Sequence, residues 1–125
     1  MTPSGSLVAI LPCNDLDASE RFYNRLGFTR PDSEKPAAGE PDTYRTLSNG
    51  HGGHLHLTDV VEGWLVPGRN PFGLYLYVED VDALAREFQQ IAQDMPWGMY
   101  EFAVSDPDET LVRVGRPTRL RTGSA

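Results

Sequence analysis

Two short stretches of the 125-residue chain are nearly identical: Asp15-Leu16-Asp17-Ala18 and Asp80-Val81-Asp82-Ala83. Each follows an apolar segment of strand length, residues 7–13 in the first case and 72–78 in the second. Each is followed by apolar residues at helical spacing. Because internal repeats reveal the units of a fold, the sequence predicts two modules that both begin with a strand and a helix.

The aspartates of the repeated stretch are typical of helix N-termini, where their side chains accept hydrogen bonds from first-turn amides. In the first helix Phe22, Tyr23 and Leu26 fall on one face, and Gly27 is placed as a stop signal. In the second helix the apolar spacing continues to Ile91. We therefore expect one helix that ends at Gly27 and a second whose buried face includes Ile91.

Strand patterns follow each helix. Residues 43–49 and 54–60 alternate between polar and apolar around a Gly-rich turn, and residues 99–105 and 111–115 flank a turn that contains proline. Residues 29–42 are expected to hold a short strand and a long loop. The sequence thus predicts an α+β fold in which each half reads strand, helix, strands.

Charge and composition exclude several classes of partner. Eleven Lys and Arg against eighteen Asp and Glu give a net charge of −7, which disfavours nucleic acid and anionic membrane surfaces. No apolar run approaches the roughly 20 residues of a membrane-spanning helix. Residues 1–6 lack the pattern of an export signal, and Cys13 is the only cysteine. We therefore expect a cytoplasmic location.

Three stretches of the sequence carry a family resemblance: residues 14–28, residues 78–83, and Pro96-Trp97-Gly98-Met99-Tyr100-Glu101-Phe102-Ala103-Val104 followed by Asp106-Pro107-Asp108. They resemble the vicinal oxygen chelate superfamily, which includes glyoxalases, dioxygenases and bleomycin resistance proteins. The third stretch is similar to a segment of the bleomycin resistance branch. After it, Glu109 and Thr110 replace the Gly-Asn typical of that branch, so we expect an altered turn. The resemblance covers most of residues 7–116.

The resemblance implies a single domain, residues 1–125, with module 1 at about 6–62, module 2 at about 71–116 and a tail at 117–125. Each module would have the order βαβββ, and the two curved mixed sheets would surround a cleft. It also implies a homodimer with a small-molecule ligand in each cleft.

Positions that bind a metal ion in enzymes of the superfamily carry unsuitable residues here. The resemblance places Val8, Gly73 and Arg113 there, and none of these side chains can replace a His, Gln or Glu ligand. We therefore expect no metal and no other cofactor. The alternative is a metal site made by His54 and His56, which share one face of a strand, together with a carboxylate such as Glu101.

Aromatic residues are the strongest ligand candidates. The resemblance ranks Trp97 first, because the matching Trp of bleomycin-binding relatives stacks on the drug, and its register points Tyr75 and Tyr77 toward the cleft. An opposite stacking face would come from Phe72, Trp64 and Tyr44, and the acidic side chains of Glu101, Asp59 and Glu62 would attract a cation. The candidate ligand-binding residues are Trp97, Tyr75, Tyr77, Phe72, Tyr100, Glu101, Arg113, Trp64 and His56.

The sequence contains no nucleophile motif and no Gly-rich phosphate loop. These observations predict a metal-free binding protein that sequesters an aromatic, cationic compound such as a bleomycin-type antibiotic. Two alternatives remain open at this point: a metal-dependent lyase or dioxygenase that uses His54 and His56, and a structural or regulatory subunit without a ligand.

Overall fold

The computed structural model describes residues 5–120, and this part of the chain separates into an N-terminal unit, residues 5–66, and a C-terminal unit, residues 67–120. Two parts of the sequence discussed above lie outside the described residues. They are residues 1–4, from the segment compared with an export signal, and residues 121–125, from the predicted tail. Within residues 5–120, neither α-helix has the length and apolarity that crossing a bilayer requires.

The N-terminal unit is a three-stranded mixed sheet with one α-helix. Strand β3 lies in the centre, parallel to β1 and antiparallel to β2. The predicted short strand near residue 29 is only a single bridge between Thr29 and Ser48. The elements are β1 (Ala9–Cys13), α1 (Leu16–Arg25), β2 (Tyr44–Ser48) and β3 (His54–Asp59).

Helix α1 begins and ends where the sequence predicts. Oδ1 of Asp15 accepts a hydrogen bond of 3.1 Å from the backbone N–H of Ala18, which satisfies a first-turn donor. At the other end Gly27 has a φ of +96°, a left-handed conformation that glycine adopts without a steric penalty. Tyr23 is buried, and α1 packs against β3, where Leu55 and Leu57 are buried.

Two buried arginines tie α1 to the loop before β2. Arg30 forms a bidentate pair with Asp42 at 2.8 and 2.7 Å, and Arg45 donates to both Asp17 and Glu20 at 2.9 Å. The hydrogen bonds from Arg30 hold the pKa of the Asp42 carboxyl below its ordinary value, although partial burial opposes this. Ion pairs therefore anchor the end of the long loop to α1 and β2.

The C-terminal unit is a four-stranded mixed sheet with one α-helix, in the order β4-β7-β6-β5. Strands β4 and β7 are parallel, and the other neighbouring pairs are antiparallel. The sequence did not predict β5, and β7 extends to Pro117, where a tail was expected. The elements are β4 (Gly73–Tyr77), α2 (Val81–Glu87), β5 (Gln93–Asp94), β6 (Met99–Ser105) and β7 (Leu111–Pro117). The α+β prediction is confirmed.

Helix α2 is shorter than the apolar spacing predicts. Asp80 caps its start, since Oδ1 accepts a hydrogen bond of 3.0 Å from the N–H of Ala83. The helix ends at Glu87, and Gln89 has a left-handed φ of +56°. Ile91 therefore leaves the helical register and is 84% exposed. The prediction that Ile91 belongs to the buried face is wrong, because the backbone turns before the spacing reaches it.

The two faces of the C-terminal sheet differ in character. Val112 and Val114 of β7 are buried together with Phe102 of β6, whose ring lies 6.2 Å from that of Phe88 just after α2. Side chains alternate along a strand, so Glu101 and Arg113 lie on the opposite face. The candidate site lies on that second face.

Candidate ligand-binding site

A pocket of about 440 Å³ opens on the sheet face of the C-terminal unit that carries Glu101 and Arg113. This volume falls in the range of small-molecule sites, about 300–1,000 Å³. The pocket combines three aromatic rings and a thioether with a single pair of opposite charges. Its lining residues are Tyr75, Tyr77, Trp97, Met99, Glu101 and Arg113.

The strand register brings these side chains together. Tyr75 of β4 is paired with Arg113 of β7, and Gly115 of β7 lies between Tyr77 and Glu101 on the neighbouring strands. A Cβ atom at Gly115 would lie only 2.6 Å from the Tyr75 hydroxyl oxygen and 2.6 Å from Cβ of Glu101. The absence of a side chain at Gly115 therefore allows Tyr75 to reach across β7 toward Glu101.

Glu101 is the buried centre of the site. Its Oε1 accepts hydrogen bonds from the Trp97 indole N–H at 2.9 Å and from the Tyr75 hydroxyl at 3.2 Å, and its Oε2 accepts one from Arg113 at 2.8 Å. Burial by itself would raise the pKa of the Glu101 carboxyl, but the bonds from Trp97, Arg113 and Tyr75 together outweigh it, and the pKa lies below its ordinary value. Glu101 is therefore an ionised carboxylate.

The two tyrosines supply a flat surface beside this carboxylate. Their ring centroids are 4.7 Å apart with an interplanar angle of 37°. Burial, with the nearby Glu101 charge as the next cause, raises the pKa of the Tyr75 phenol to about 12. Tyr75 is thus a neutral hydrogen-bond donor at physiological pH.

Trp97 lies in the bend between β5 and β6 and is 57% exposed, yet two groups hold its ring. Its N–H is bonded to Glu101, and Cζ of Arg113 lies 5.7 Å from the ring centroid, within the range of a cation–π contact. The adjacent Gly98 has a φ of +85°, which lets the chain turn into β6. The Trp97 indole is exposed to solvent, yet the fold already holds it in one orientation. A ligand that stacks on it therefore loses little free energy to ordering of this side chain.

A second hollow of about 220 Å³ lies beside the first and shares Glu101 and Arg113 with it. Its other walls are mostly side-chain amides and apolar groups. They are contributed by Gln90, Ile91, Gln93, Met95, Phe102 and Ala103. The Glu101–Arg113 pair is therefore a wall common to two neighbouring hollows.

The remaining candidate residues lie elsewhere. Tyr100 is buried on the opposite face of β6, where its hydroxyl donates to Asp82, so it does not line this pocket. Phe72 precedes β4 and does not line the pocket. Trp64 and His56 belong to the N-terminal unit, where Trp64 is exposed and Nδ1 of His56 lies 2.7 Å from the Tyr44 hydroxyl.

The residues present do not fit a metal ion. Gly73 offers no side chain, Arg113 places a cation in the pocket, and the Glu101 carboxylate is already bonded to three donors. Within residues 5–120, no three His, Cys, Asp or Glu side chains are grouped so that they hold a metal. The pair His54 and His56 thus lacks a third ligand of these types in the described part of the chain.

Sequence reasoning missed two contributors to the site, Gly115 and Met99. Gly115 carries a readable signal, since a glycine inside a strand pattern often marks a close approach of another group. Met99 directly follows the Trp97 bend, but nothing in its type or spacing distinguishes it from a core residue.

The two units repeat the arrangement of a helix on a mixed sheet, which is the vicinal oxygen chelate fold. A family model described as "Glyoxalase/Bleomycin resistance protein/Dioxygenase superfamily" matches residues 6–114. The chain belongs to this superfamily, and the resemblance seen in the sequence is confirmed.

Solved structures of the superfamily share the fold at low sequence identity. A bleomycin-binding protein complexed with bleomycin is 22% identical, with a TM-score of 0.69 over 90% of this chain and 98% of that one. An antibiotic binding protein from a Streptomyces species is 23% identical, with a TM-score of 0.68 over 94% and 98%. A lactoylglutathione lyase from Agrobacterium tumefaciens is 21% identical, with a TM-score of 0.62 over 92% and 95%. Among curated proteins, none matches this sequence.

Proposed function

We propose that this protein is a metal-free binding protein that sequesters a planar aromatic compound, an antibiotic or a related molecule, as a cytoplasmic homodimer. The observation that carries the proposal is the Trp97 indole, which is exposed to solvent but held by Glu101 and Arg113. Stacking of a planar ligand on an oriented ring contributes on the order of 1 kcal/mol per face beyond the area it buries. The structural likeness to antibiotic-binding proteins supports the same function.

The chemistry of the pocket favours binding over catalysis. A carboxylate whose pKa is lowered is a weak base, and a phenol whose pKa is raised to about 12 is a weak acid. The guanidinium of Arg113 has hydrogen-bond donors but no acceptor. Sequestration needs none of these groups to react, because it acts by lowering the free concentration of the ligand.

Tryptophan fluorescence tests the proposal, because the chain has two tryptophans and each can be observed alone. Trp64→Phe leaves Trp97 as the emitter, and Trp97→Phe leaves Trp64. The compounds to be titrated are metal-free bleomycin, the ligand held by one structural relative, and three naphthalenes: 2-naphthoate, 2-naphthamide and 2-naphthamidine. We expect at least one of them to quench the fluorescence of Trp97 saturably at one ligand per subunit. The signal of Trp64 in Trp97→Phe should not saturate, and mass spectrometry should recover each compound unchanged.

The opposite results are equally clear. If no compound in this set quenches Trp97 saturably, the proposed binding function is wrong. Chemical conversion of a bound compound, or stoichiometric metal in the purified protein that disappears in His54→Ala/His56→Ala, would support the lyase or dioxygenase alternative instead.

A further inference from the structure

The charges of the pocket are distributed unequally between its surface and its interior. Among the residues that line it, Glu101 and Arg113 are the two that carry a formal charge. The Glu101 side chain is 3% exposed, whereas that of Arg113 is 40% exposed. An entering ligand therefore meets the guanidinium before it meets the carboxylate.

Arg113 also has more unused hydrogen-bonding capacity than Glu101. Three donors from the protein already occupy the Glu101 carboxylate. Arg113 has five N–H donors, and its hydrogen bond from Nη1 to Glu101 uses one of them. A ligand cation would have to displace Arg113, Trp97 or Tyr75 to reach the carboxylate, while a ligand acceptor can bond to Arg113 without displacing a protein group.

The net charge of −7 does not reverse this local preference at physiological salt. Screening limits the reach of exposed charges to about 8 Å at 0.15 M ionic strength. Arg113 also lies beside the Trp97 ring, so one ligand can stack on the aromatic surface and bond to the guanidinium at once. The sequence-based expectation that Glu101 attracts a cation is thus not supported by its surroundings.

We infer that the ligand of this pocket is a planar aromatic compound that presents an anionic or strongly accepting oxygen, of the carboxylate or phenolate class, to Arg113. The pocket discriminates against aromatic cations. This inference rests on the proposed binding function and assigns the chemical class of its ligand. It gives Arg113 two roles, to neutralise Glu101 and to select the ligand.

Three probes with the same naphthalene ring test the inference: 2-naphthoate (an anion), 2-naphthamide (neutral) and 2-naphthamidine (a cation). Binding is followed at 0.15 M salt and pH 7 by the shift of the Trp97 indole N–H signal in the nuclear magnetic resonance spectrum. We expect 2-naphthoate to bind about tenfold more tightly than 2-naphthamidine, as one added charged hydrogen bond allows, with 2-naphthamide between them.

Two variants separate a role of Arg113 from a general effect of charge. Arg113→Met/Glu101→Gln removes both charges and avoids a buried unpaired carboxylate; it should still bind the three probes but without the preference for the anion. Arg86→Gln removes a positive charge from an exposed position on α2 and should keep the preference. Both variants are first checked for a folded spectrum.

The outcomes distinguish this inference from the function on which it rests. Equal or tighter binding of 2-naphthamidine by the wild-type protein overturns the inference while leaving the binding function intact. The inference is also overturned if Arg113→Met/Glu101→Gln keeps the preference for 2-naphthoate. It is overturned likewise if bleomycin binds but none of the three naphthalenes shifts the Trp97 signal. If neither bleomycin nor any naphthalene shifts the Trp97 signal saturably, the proposed function itself fails.

Discussion

The indole N–H of Trp97 donates a hydrogen bond of 2.9 Å to Oε1 of Glu101, four residues further along the chain. This bond joins an exposed ring of the pocket to its most buried charge. Because Glu101 also accepts from Arg113 and Tyr75, strands β4, β6 and β7 all contribute to the orientation of one indole. The orientation of the stacking surface is therefore set by the sheet as well as by the bend that carries Trp97.

Removal of the Glu101 carboxylate should release the Trp97 ring. In Glu101→Ala the indole N–H loses its charged acceptor, so its proton resonance should move upfield toward the position of a water-exposed indole. The second indole signal, from Trp64 in the N-terminal unit, is the internal reference and should not move. An unchanged Trp97 signal would contradict the hydrogen bond.

An alanine at position 115 should disrupt the site. Its Cβ would overlap the positions of the Tyr75 hydroxyl and of Glu101, so we expect Gly115→Ala to lower the free energy of unfolding by about 2 kcal/mol, as overpacking does. It should also weaken binding of 2-naphthoate about tenfold, which is the loss expected when one charged hydrogen bond is broken. Gly73→Ala is the matched control, since its nearest contact, the backbone oxygen of Leu111, would be at an ordinary 3.7 Å. Equal effects of the two substitutions, measured by urea denaturation and by the probe titration, would refute this explanation.

Acid should weaken the stabilising contribution of Glu101. Its pKa is lower in the folded protein than the ordinary value of 4.5, so it stabilises the fold above pH 4.5, and this contribution is lost as the pH falls through the folded-state pKa. The difference in unfolding free energy between the wild type and Glu101→Gln should therefore shrink as the pH is lowered from 7 to 3. Glu40→Gln, at an exposed position, is the control. A difference that stays constant across this range would contradict a lowered pKa.

The buried arginine of β2 should matter far more than an exposed one on α1. Arg45→Met removes the guanidinium that donates to Asp17 and Glu20, and leaves Glu20 with only its bond from Arg30. We expect the substitution to cost about 2 kcal/mol of unfolding free energy. Arg21→Met, at an exposed position on α1, should stay within about 0.5 kcal/mol of the wild type. Urea denaturation of the three proteins compares them, and a similar small effect at both positions would show that the ion-pair network contributes little.

The turn between β6 and β7 can be made more stable. Glu109 has a φ of +64°, in the left-handed region that a glycine adopts more readily, although the family's glycine is absent here. Glu109→Gly should therefore raise the unfolding free energy by roughly 0.5–1 kcal/mol. Glu109→Ala, which removes the same charge but keeps a Cβ, should give no such gain in thermal or urea denaturation. A gain in both variants would point to charge rather than to backbone conformation.

Much of the fold could be predicted from local signals. The Asp caps at residues 15 and 80, the Gly27 stop and the alternation along β2 and β3 are each set by a few neighbouring residues. Prediction failed where a distant or unusual backbone feature decided the outcome. Ile91 continues the helical spacing of apolar residues in the sequence. The helix nevertheless ends before Ile91, because the backbone at Gln89 adopts a left-handed conformation.

The candidate site was only partly predictable for the same reason. Tyr75, Tyr77 and Trp97, which the family resemblance placed near the ligand, line one pocket, whereas Tyr100 lies on the opposite face of β6. Glu101 had been interpreted as a charge available to a ligand. Its three partners come from positions up to 26 residues away, and no local pattern reveals them.

The amino-acid order alone determined where both helices begin and where most of the strands lie, because capping, turns and side-chain alternation act over a few residues. Only the tertiary structure decided that Arg113, and not Glu101, is the charge exposed to a ligand. Strand register placed Gly115 between Tyr77 and Glu101. The space above Gly115 lets the Tyr75 hydroxyl reach the buried Glu101 carboxylate. The same carboxylate accepts hydrogen bonds from Trp97 and Arg113. Burial and long-range hydrogen bonds are properties of the packed sheet, so the sign of the accessible charge appears only once the strands are paired.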